Sequence, residues 1–542
     1  MIKKIFLIAA VWIGLLASVY RANAYEGLEG RAVWAYPSDA GQTQESVIQF
    51  VDQIDRAHIN LIVMLVKGSG GDIYWQSEQF SECVNDYWKA FDGFRVLVEE
   101  AHKRRIRVHA WLCDFTEGKN SPAFRLHPEW AMRNEDGGTT DTERIQEGRS
   151  YNTVWMCPSR RPGYTDQWLL PMIVELARLY DVDGIHHDYV RYPGDVSPDG
   201  YCFCDWCLED ILKHSHLYYE AYPDRQFSPD PVLPRPEANW WLDYAGRPEK
   251  WESWTRKEKV KYLKDGKSWK HSREDMDYFW TTHRTDAINR FVREAWEEAR
   301  KVRPDIEMSA AVFKNPAVSG RAIGQRWTDF APWVDIMMPM TYRSHFPGDF
   351  ETFLTLLGEY VRYQNAWSRG LCHTYIGITG HYIYKEEYEP VQEMSKSLGM
   401  ILQEKDGREK HLKSIRKNFD EVARCLASLE PETERSMRGL VQTLGAKDDK
   451  DTERSRIEEL KTRVDRLLSD PPEGFYPGEK LVRTIQTIRD AGGEGIVLFA
   501  ATHLTRKKLW PAVEKVFAQR SVDPDIARPM DGASIQSARM NK

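Results

Sequence analysis

The feature that most constrains the fold is a regular alternation of short apolar runs with stretches of helical periodicity. The first run is followed by a segment in which Val47, Phe50, Val51 and Ile54 fall on one helical face. Eight such runs separated by helical patterns favour an α/β fold, a closed parallel (β/α)8 TIM barrel, with an open doubly wound sheet as the alternative. No glycine-rich phosphate loop follows the first run, which argues against nucleotide binding. The predicted strands are Arg31–Tyr36, Asn60–Val66, Arg107–Cys113, Gly184–Tyr189, Glu307–Phe313, Asp335–Tyr342, Thr374–Thr379 and Glu494–Ala500.

Two long segments interrupt this alternation. Residues 194–280 follow the fourth strand and contain clustered cysteines and a stretch rich in Pro and Trp. Residues 385–470 follow the seventh strand and are dense in Glu, Lys and Arg with spaced Leu and Ile, which predicts solvated helices. We therefore predict one barrel over residues 25–520 that carries two insertions, followed by a disordered tail over residues 521–542.

The N-terminus has the pattern of an export signal. Two lysines precede an apolar run from Ile5 to Val19, and Ala22–Ala24 forms a small-x-small cleavage site. The run is short for a membrane span, so an uncleaved anchor is the less favoured alternative. We expect residues 1–24 to be a signal peptide and the mature protein to be secreted or periplasmic, without stable membrane insertion. The formal net charge is −7, and no basic tract indicates a nucleic-acid partner.

The alternation of side chains along each strand locates a candidate site. In the stretch Asp183–Pro193, His186 and Asp188 point to the same side of the strand, opposite to Ile185. Barrel enzymes keep their chemistry at the carboxyl ends of the strands, so Asp188 is the first candidate for a reacting group. Its alternative role is to cap a loop or to pair with Arg191. The same reasoning directs Trp34, Tyr36, His109, Trp111 and Tyr342 into the barrel or toward its mouth, and places Lys67 and Asp114 after the second and third strands.

Six short sequence runs, most of them within the predicted strands, are distinctive when they are taken in their order along the chain. They are Arg31-Ala-Val-Trp34, Val108-His-Ala-Trp111, Asp183-Gly-Ile-His186 with Asp188 and Tyr192-Pro193, Asp335-Ile-Met-Met-Pro339 with Tyr342, Tyr375-Ile-Gly-Ile378, and Gly495-Ile-Val-Leu-Phe499. This ordered set resembles the glycosyl-hydrolase-like family ten of secreted bacterial barrels. The resemblance implies a (β/α)8 barrel that acts on glycan, and some family members are similar to endo-hexosaminidases that cut peptidoglycan strands lacking stem peptides.

The chain departs from the family pattern at four positions. The family often carries Asn at Cys113, a large apolar residue at His187, an acidic residue at Tyr189 and Gln at Met340. These departures leave open which glycan is bound and whether activity has been kept.

The resemblance and the candidate residues together predict a glycoside hydrolase that cleaves an O-glycosyl bond in a poly- or oligosaccharide. Such hydrolysis usually needs two carboxyl groups. We expect Asp188 to act as nucleophile or electrostatic stabiliser and Asp114 as general acid, with Glu117 as the next choice; a substrate acetamido group is the alternative nucleophile. The residues expected to bind substrate are Trp34, Tyr36, Lys67, His109, Trp111, His186, Arg191 and Tyr342, each of which has internal packing or pairing as its alternative.

Two other functions fit the same residues. A glycan-binding barrel that has lost its second carboxylate would explain why no obvious partner for Asp188 is found. A metal-dependent hydrolase using His186, His187 and Asp188 is disfavoured, because adjacent histidines point to opposite faces of a strand.

Export permits disulfides, and three of the eight cysteines are clustered. Cys202, Cys204 and Cys207 can form one disulfide with a spare thiol, or a structural zinc site with His214 or His216 as fourth ligand. We expect a structural staple there and no catalytic cofactor. The other five cysteines, expected to be isolated, are Cys83, Cys113, Cys157, Cys372 and Cys425.

Overall fold

Eight parallel strands close into one barrel in the computed structural model, and two further short strands form an antiparallel hairpin. The strands are β1 (Gly30–Ala35), β2 (Leu61–Lys67), β3 (Arg107–Cys113), β4 (Thr116–Gly118), β5 (Thr153–Trp155), β6 (Gly184–Asp188), β7 (Glu307–Phe313), β8 (Ile336–Met340), β9 (His373–Thr379) and β10 (Gly495–Phe499). The barrel order is β1-β10-β9-β8-β7-β6-β3-β2, and β4 pairs with β5. All eight predicted barrel strands and their closure are confirmed.

The structure describes residues 27–142, 153–194, 200–213, 248, 250–266, 276–380, 385–403, 406–445, 450–476 and 478–527. The predicted signal peptide lies outside these residues, as do most of the Pro- and Trp-rich stretch and residues 528–542. None of the helices in these ranges is both long and apolar enough to span a membrane.

A helical layer surrounds the barrel because each outward strand face is apolar and needs cover. In the first such helix, Val47, Phe50, Val51 and Ile54 are buried as predicted, and the hydroxyl of Thr43 caps its N-terminus. The helices that follow the successive barrel strands are Gln44–Arg56, Gly93–Lys103, Leu170–Leu179, Met276–Val302, Pro316–Ile323 with Trp327–Phe330, Phe350–Ser368, Glu479–Asp490, and Ala501–Arg506 with Trp510–Val516. Shorter helices are Pro37–Ala40, Asp86–Lys89, Pro122–Leu126 and Pro524–Ala527.

Both predicted insertions contain helices. The first holds helices Asp205–Asp210 and Arg256–Asp265 before the long helix Met276–Val302 begins. The second forms four helices that pack on one another through buried residues such as Leu398, Phe419 and Leu460, while their charged residues face solvent. These four helices are Lys385–Leu402, Arg408–Leu429, Pro431–Thr443 and Lys450–Ser469.

The strand parity inferred from the sequence is confirmed. In β3, Val108, Ala110 and Leu112 pack in the outer core, whereas Trp111 and Cys113 belong to a separate inner cluster. That inner cluster also holds the inward residues of the neighbouring strands, which are Ala32, Trp34, Leu61, Val63, Leu65, Ala311, Ile336, Met338, Tyr375, Val497 and Ala500.

The amino end of the barrel is closed by residues that we expected to be disordered. Arg107 is buried there and forms ion pairs with Glu307, Asp523 and Asp525. The prediction of a disordered tail is therefore wrong for residues 521–527, because a buried guanidinium needs carboxylate partners and the tail supplies two of them.

Candidate functional site at the barrel mouth

The carboxyl group of Asp188 lies half-buried at the carboxyl end of β6. One carboxylate oxygen, Oδ1, accepts the backbone N–H of Tyr189 at 2.7 Å, and Oδ2 accepts the indole N–H of Trp111 at 3.2 Å. Tyr189 has a φ of 52°, in the left-handed region that non-glycine residues rarely adopt, and such strain is common at functional sites. The strand end and this strained turn thus hold the carboxyl group in one orientation.

Burial raises the pKa of Asp188 to about 6, although the Tyr189 N–H, the nearby charge of Arg191 and the Trp111 N–H act against it. A carboxyl group with such a pKa exchanges protons near neutral pH. Burial thus brings the pKa of this carboxyl group close to neutral, while the two hydrogen bonds that orient it oppose part of that rise.

Aromatic rings form a bowl around this carboxyl group. The ring of Tyr36 lies 5.4 Å from that of Trp111, and the ring of Tyr342 stacks on Phe499 at 5.6 Å with an interplanar angle of 23°. Phe499 also approaches Tyr36 at 6.5 Å, which links the two pairs of aromatic side chains. Burial raises the pKa of the Tyr36 and Tyr342 phenols, and the negative charge of Asp188 raises it further, which is consistent with both phenols lying near that carboxyl group. Flat apolar surfaces beside a carboxyl group suit the faces of sugar rings.

A second wall of the mouth is built around a buried cation. The guanidinium of Arg191 lies 4.9 Å from the ring centre of Trp155, 5.0 Å from that of Tyr189 and 4.9 Å from that of Phe313. Its Nη1 donates to the carbonyl of Tyr192, and its Nε has no hydrogen-bond partner among the described residues. Arg191 lowers the pKa of Asp188 through its charge, so one of the two roles left open from the sequence, partial neutralisation of that carboxylate, has structural support.

A chain of hydrogen bonds runs through the barrel interior below Asp188. The indole N–H of Trp34 donates to His186 Nε2 at 3.0 Å, so the proton of His186 is on Nδ1, which donates to Ser309 Oγ at 2.8 Å. Ser309 then donates to His109 Nδ1 at 2.8 Å, and His109 Nε2–H donates to Glu307 at 2.9 Å. Burial lowers the pKa of both histidines, to about 4 for His109, so both are neutral. They orient the core beneath the site and do not touch its surface.

Two predicted site residues are fully buried and held by polar partners. Asp114 is fully buried, and its Oδ2 bonds Nδ1 of His187 at 2.9 Å, while burial raises the pKa of this carboxyl group. Lys67 is also fully buried and pairs with Glu117 at 3.1 Å. His187 packs 5.5 Å from the ring of Phe291, on the helix side of the sheet.

The predicted site residues therefore divide into three groups. Those at the mouth are Asp188, Tyr36, Trp111, Arg191 and Tyr342. Those in the interior below it are Trp34, His109 and His186. Lys67 and Asp114 belong to neither group. Glu117 and the carbonyls of Cys113 and Thr116 hold Lys67, and His187 on the helix side of β6 holds Asp114. His186 and His187 lie on opposite faces of β6, which leaves no common metal position for them and Asp188.

The sequence reasoning missed Tyr189, Trp155, Phe313 and Phe499. Phe313 and Phe499 end barrel strands, so the strand-end rule applied to every strand would have found them. Trp155 lies on β5, whose approach to the mouth left no signal in the sequence.

The expectation that Cys157 is an isolated thiol is wrong. Among the described residues, the sulfur atoms of Cys157, Cys202, Cys204 and Cys207 lie within 4.8 Å of one another. The two histidines considered as fourth ligand, His214 and His216, lie outside the described residues.

Two protein families match separate parts of the chain. Residues 8–205 match the family described as Glycosyl hydrolase-like 10, and residues 241–360 match a family described as a putative glycosyl hydrolase domain. The resemblance inferred from the sequence is confirmed over residues 8–205, and the fold is the expected (β/α)8 barrel.

Two curated relatives match part of the chain. "Glycosyl hydrolase YngK" of Bacillus subtilis (strain 168) is 22% identical over 202 residues, which are 33% of this chain and 36% of that protein. "Glycosyl hydrolase DigH" of Escherichia coli (strain K12) is 21% identical over 218 residues, which are 36% of this chain and 49% of that protein. The chain thus spans between about a third and a half of the length of these relatives.

Two solved structures are also similar. The alpha-L-fucosidase isoenzyme 2 from Paenibacillus thiaminolyticus has a TM-score of 0.37 at 15% identity, with 68% of this chain and 45% of that chain covered. The beta-galactosidase from the psychrophilic Marinomonas ef1 has a TM-score of 0.41 at 12% identity, with coverages of 64% and 48%.

Proposed function

We propose that this protein is a glycoside hydrolase that cleaves a poly- or oligosaccharide, with Asp188 donating a proton to the glycosidic oxygen. One observation carries the proposal: the Asp188 carboxyl group lies half-buried at the mouth, and burial raises its pKa to about 6. A raised pKa suits a proton donor better than the nucleophile role expected from the sequence, because a nucleophilic carboxylate must be ionised. The N-terminal pattern supports action outside the cytoplasm.

The partner of Asp188 is the second part of the proposal. Asp114 is held by His187 behind the strand, and Asp39 at the rim accepts the backbone N–H of Tyr36 at 2.8 Å. We therefore assign the nucleophile to the substrate. The carbonyl oxygen of a 2-acetamido group attacks the anomeric carbon while Asp188 protonates the departing oxygen; water then opens the cyclic intermediate and returns its proton to Asp188.

This mechanism selects the substrate class. Only 2-acetamido sugars carry the required oxygen, so we propose glycans of N-acetylhexosamine, with peptidoglycan strands as the first candidate. The half-buried rings of Tyr36 and Tyr342 provide stacking faces beside Asp188.

The test compares acetylated and unacetylated glycans. Purified protein is incubated with peptidoglycan strands, chitin oligosaccharides and a glucan, and products are followed by mass spectrometry and by NMR of the new anomeric centre. We expect cleavage of acetylated substrates with retained configuration, and a loss of at least about 100-fold in Asp188→Asn. Asp86→Asn, in an exposed helix, is the matched control. Full activity in Asp188→Asn, or inversion of configuration, would refute the mechanism.

A glycan-binding barrel without activity is the second candidate, and the position of Asp114 favours it. If that barrel lost catalysis, immobilised glycans should retain the protein while no substrate in the panel is cut. Retention should then depend on the half-buried ring of Tyr342 more than on Asp188, because stacking and not proton transfer would hold the glycan.

A further inference from the structure

The four clustered cysteines come from two separate parts of the chain. Cys157 follows the hairpin strand β5 by two residues, whereas Cys202, Cys204 and Cys207 lie after β6 at the start of the first insertion. All four side chains are at most 3% exposed. Backbone hydrogen bonds fix both parts: Cys157 N–H donates to Trp130 at 2.8 Å, and Phe203 N–H donates to Arg133 at 2.7 Å.

The spacing of the sulfur atoms fits one tetrahedral metal ion. The Sγ of Cys157 lies 3.5 Å from that of Cys207 and 3.8 Å from that of Cys204, and all four lie within 4.8 Å. Zinc binds thiolates at about 2.3 Å, which places the sulfurs of a tetrahedron about 3.8 Å apart. A disulfide needs about 2.05 Å between its sulfurs, and none of these four residues forms one here.

The surroundings of the cluster also suit thiolates. The hydroxyl of Ser159 lies 3.1 Å from the sulfur of Cys207 and 3.4 Å from that of Cys157, where it can donate to one of them. His283 Nε2 lies 3.2 Å from the same hydroxyl. Groups that hydrogen-bond the ligands in this way commonly orient them in metal sites.

We propose that Cys157, Cys202, Cys204 and Cys207 bind one structural Zn²⁺. Four protein ligands leave no open position, which is the pattern of structural and not catalytic zinc. The ion would join the hairpin β4–β5 to the insertion after β6. Trp155, which ends β5, packs on Tyr189 and Arg191, so the ion would also brace one wall of the barrel mouth.

The test measures metal and thiols in the full-length protein. Protein purified from zinc-supplemented medium should contain about one zinc per chain. A mercurial that titrates thiols should release it after about five equivalents, because the exposed Cys425 consumes one and the four ligands consume the rest. Cys204→Ser should lose the zinc, whereas Cys425→Ser, on an exposed position of the second insertion, should keep it. The release experiment needs only the wild-type chain, so it decides the question even if Cys204→Ser fails to fold.

Three results would overturn the proposal. The first is wild-type protein without metal whose non-reduced peptides show disulfides among these four cysteines. The second is iron in place of zinc at the same stoichiometry. The third is zinc that remains in Cys204→Ser. Because none of these measurements uses glycan turnover, they are independent of the proposed hydrolase activity.

Discussion

Replacing Asp188 by Asn should make the protein more stable at alkaline pH relative to the wild type, although it removes the proposed proton donor. Burial raises the pKa of Asp188 from its ordinary 3.8 to about 6 in the folded chain. The folded state therefore binds this proton more tightly than the unfolded state, so the wild type loses stability as the pH rises from about 4 to about 6. A shift of roughly 2 units corresponds to at most about 3 kcal/mol, and solvent at the mouth reduces this value.

The asparagine adds a cost that does not depend on pH. Its amide oxygen can still accept the Tyr189 N–H, but its NH₂ group then faces the indole N–H of Trp111. Because two donors cannot form a hydrogen bond, the variant loses about 1 kcal/mol of stability. The informative quantity is therefore how the difference in free energy of unfolding between Asp188→Asn and the wild type changes with pH. The pH-independent cost cancels in this change.

Urea denaturation at about pH 4 and about pH 8 measures that quantity. We expect the free energy of unfolding of Asp188→Asn, relative to the wild type, to rise by about 2–3 kcal/mol over this interval. The exposed Asp86→Asn corrects for the loss of one carboxylate from the chain. A difference that stays constant, or that falls with pH, would show that the Asp188 carboxyl group is not held in a costly ionised state.

Three further predictions follow from the geometry. Trp111→Phe removes the N–H that lowers the pKa of Asp188 by hydrogen bonding. The pKa of Asp188 should therefore rise, and the alkaline limit of the activity–pH profile should move up by about one unit or less. An unchanged profile would contradict this. Asp114→Ala should cost about 1–3 kcal/mol of stability, because His187 loses its hydrogen-bond partner. Glycan turnover per folded molecule should change little. A loss of turnover larger than the loss of folded protein would mean that Asp114 takes part in catalysis. Removing residues 521–542 should lower the free energy of unfolding, measured by urea denaturation, by about 3–5 kcal/mol, because Arg107 loses Asp523 and Asp525. An unchanged free energy of unfolding would show that Glu307 alone is a sufficient partner for Arg107.

The sequence was sufficient to predict the barrel and the carboxyl group of Asp188 at its mouth. Period-two alternation in Arg107–Cys113 separates an outer apolar face from inner residues, and the structure has the same division. The prediction of Asp188 needed only its position at the end of an inner strand, because neighbouring residues on a strand alternate in a fixed way. Its role was not readable from the sequence, because the pKa on which the proposed proton-donor role rests depends on burial by residues distant in the chain.

The remaining features required the tertiary structure. Cys157 and Cys204 are 47 positions apart, so local spacing revealed three sulfur atoms of the cluster but not the fourth. Asp114 follows β3 just where a mouth residue would be expected, yet the loop turns its carboxylate toward His187.

Local periodicity fixes which face of each strand is buried, because the backbone repeats every two residues whatever its neighbours are. Pairings between distant segments depend on where loops and insertions return, and no local pattern encodes that. For this protein the residue pattern predicts a parallel barrel with an acidic residue at its mouth. Only the folded chain shows which groups surround that acid, which cysteines meet, and that the C-terminal segment neutralises Arg107 at the amino end of the barrel.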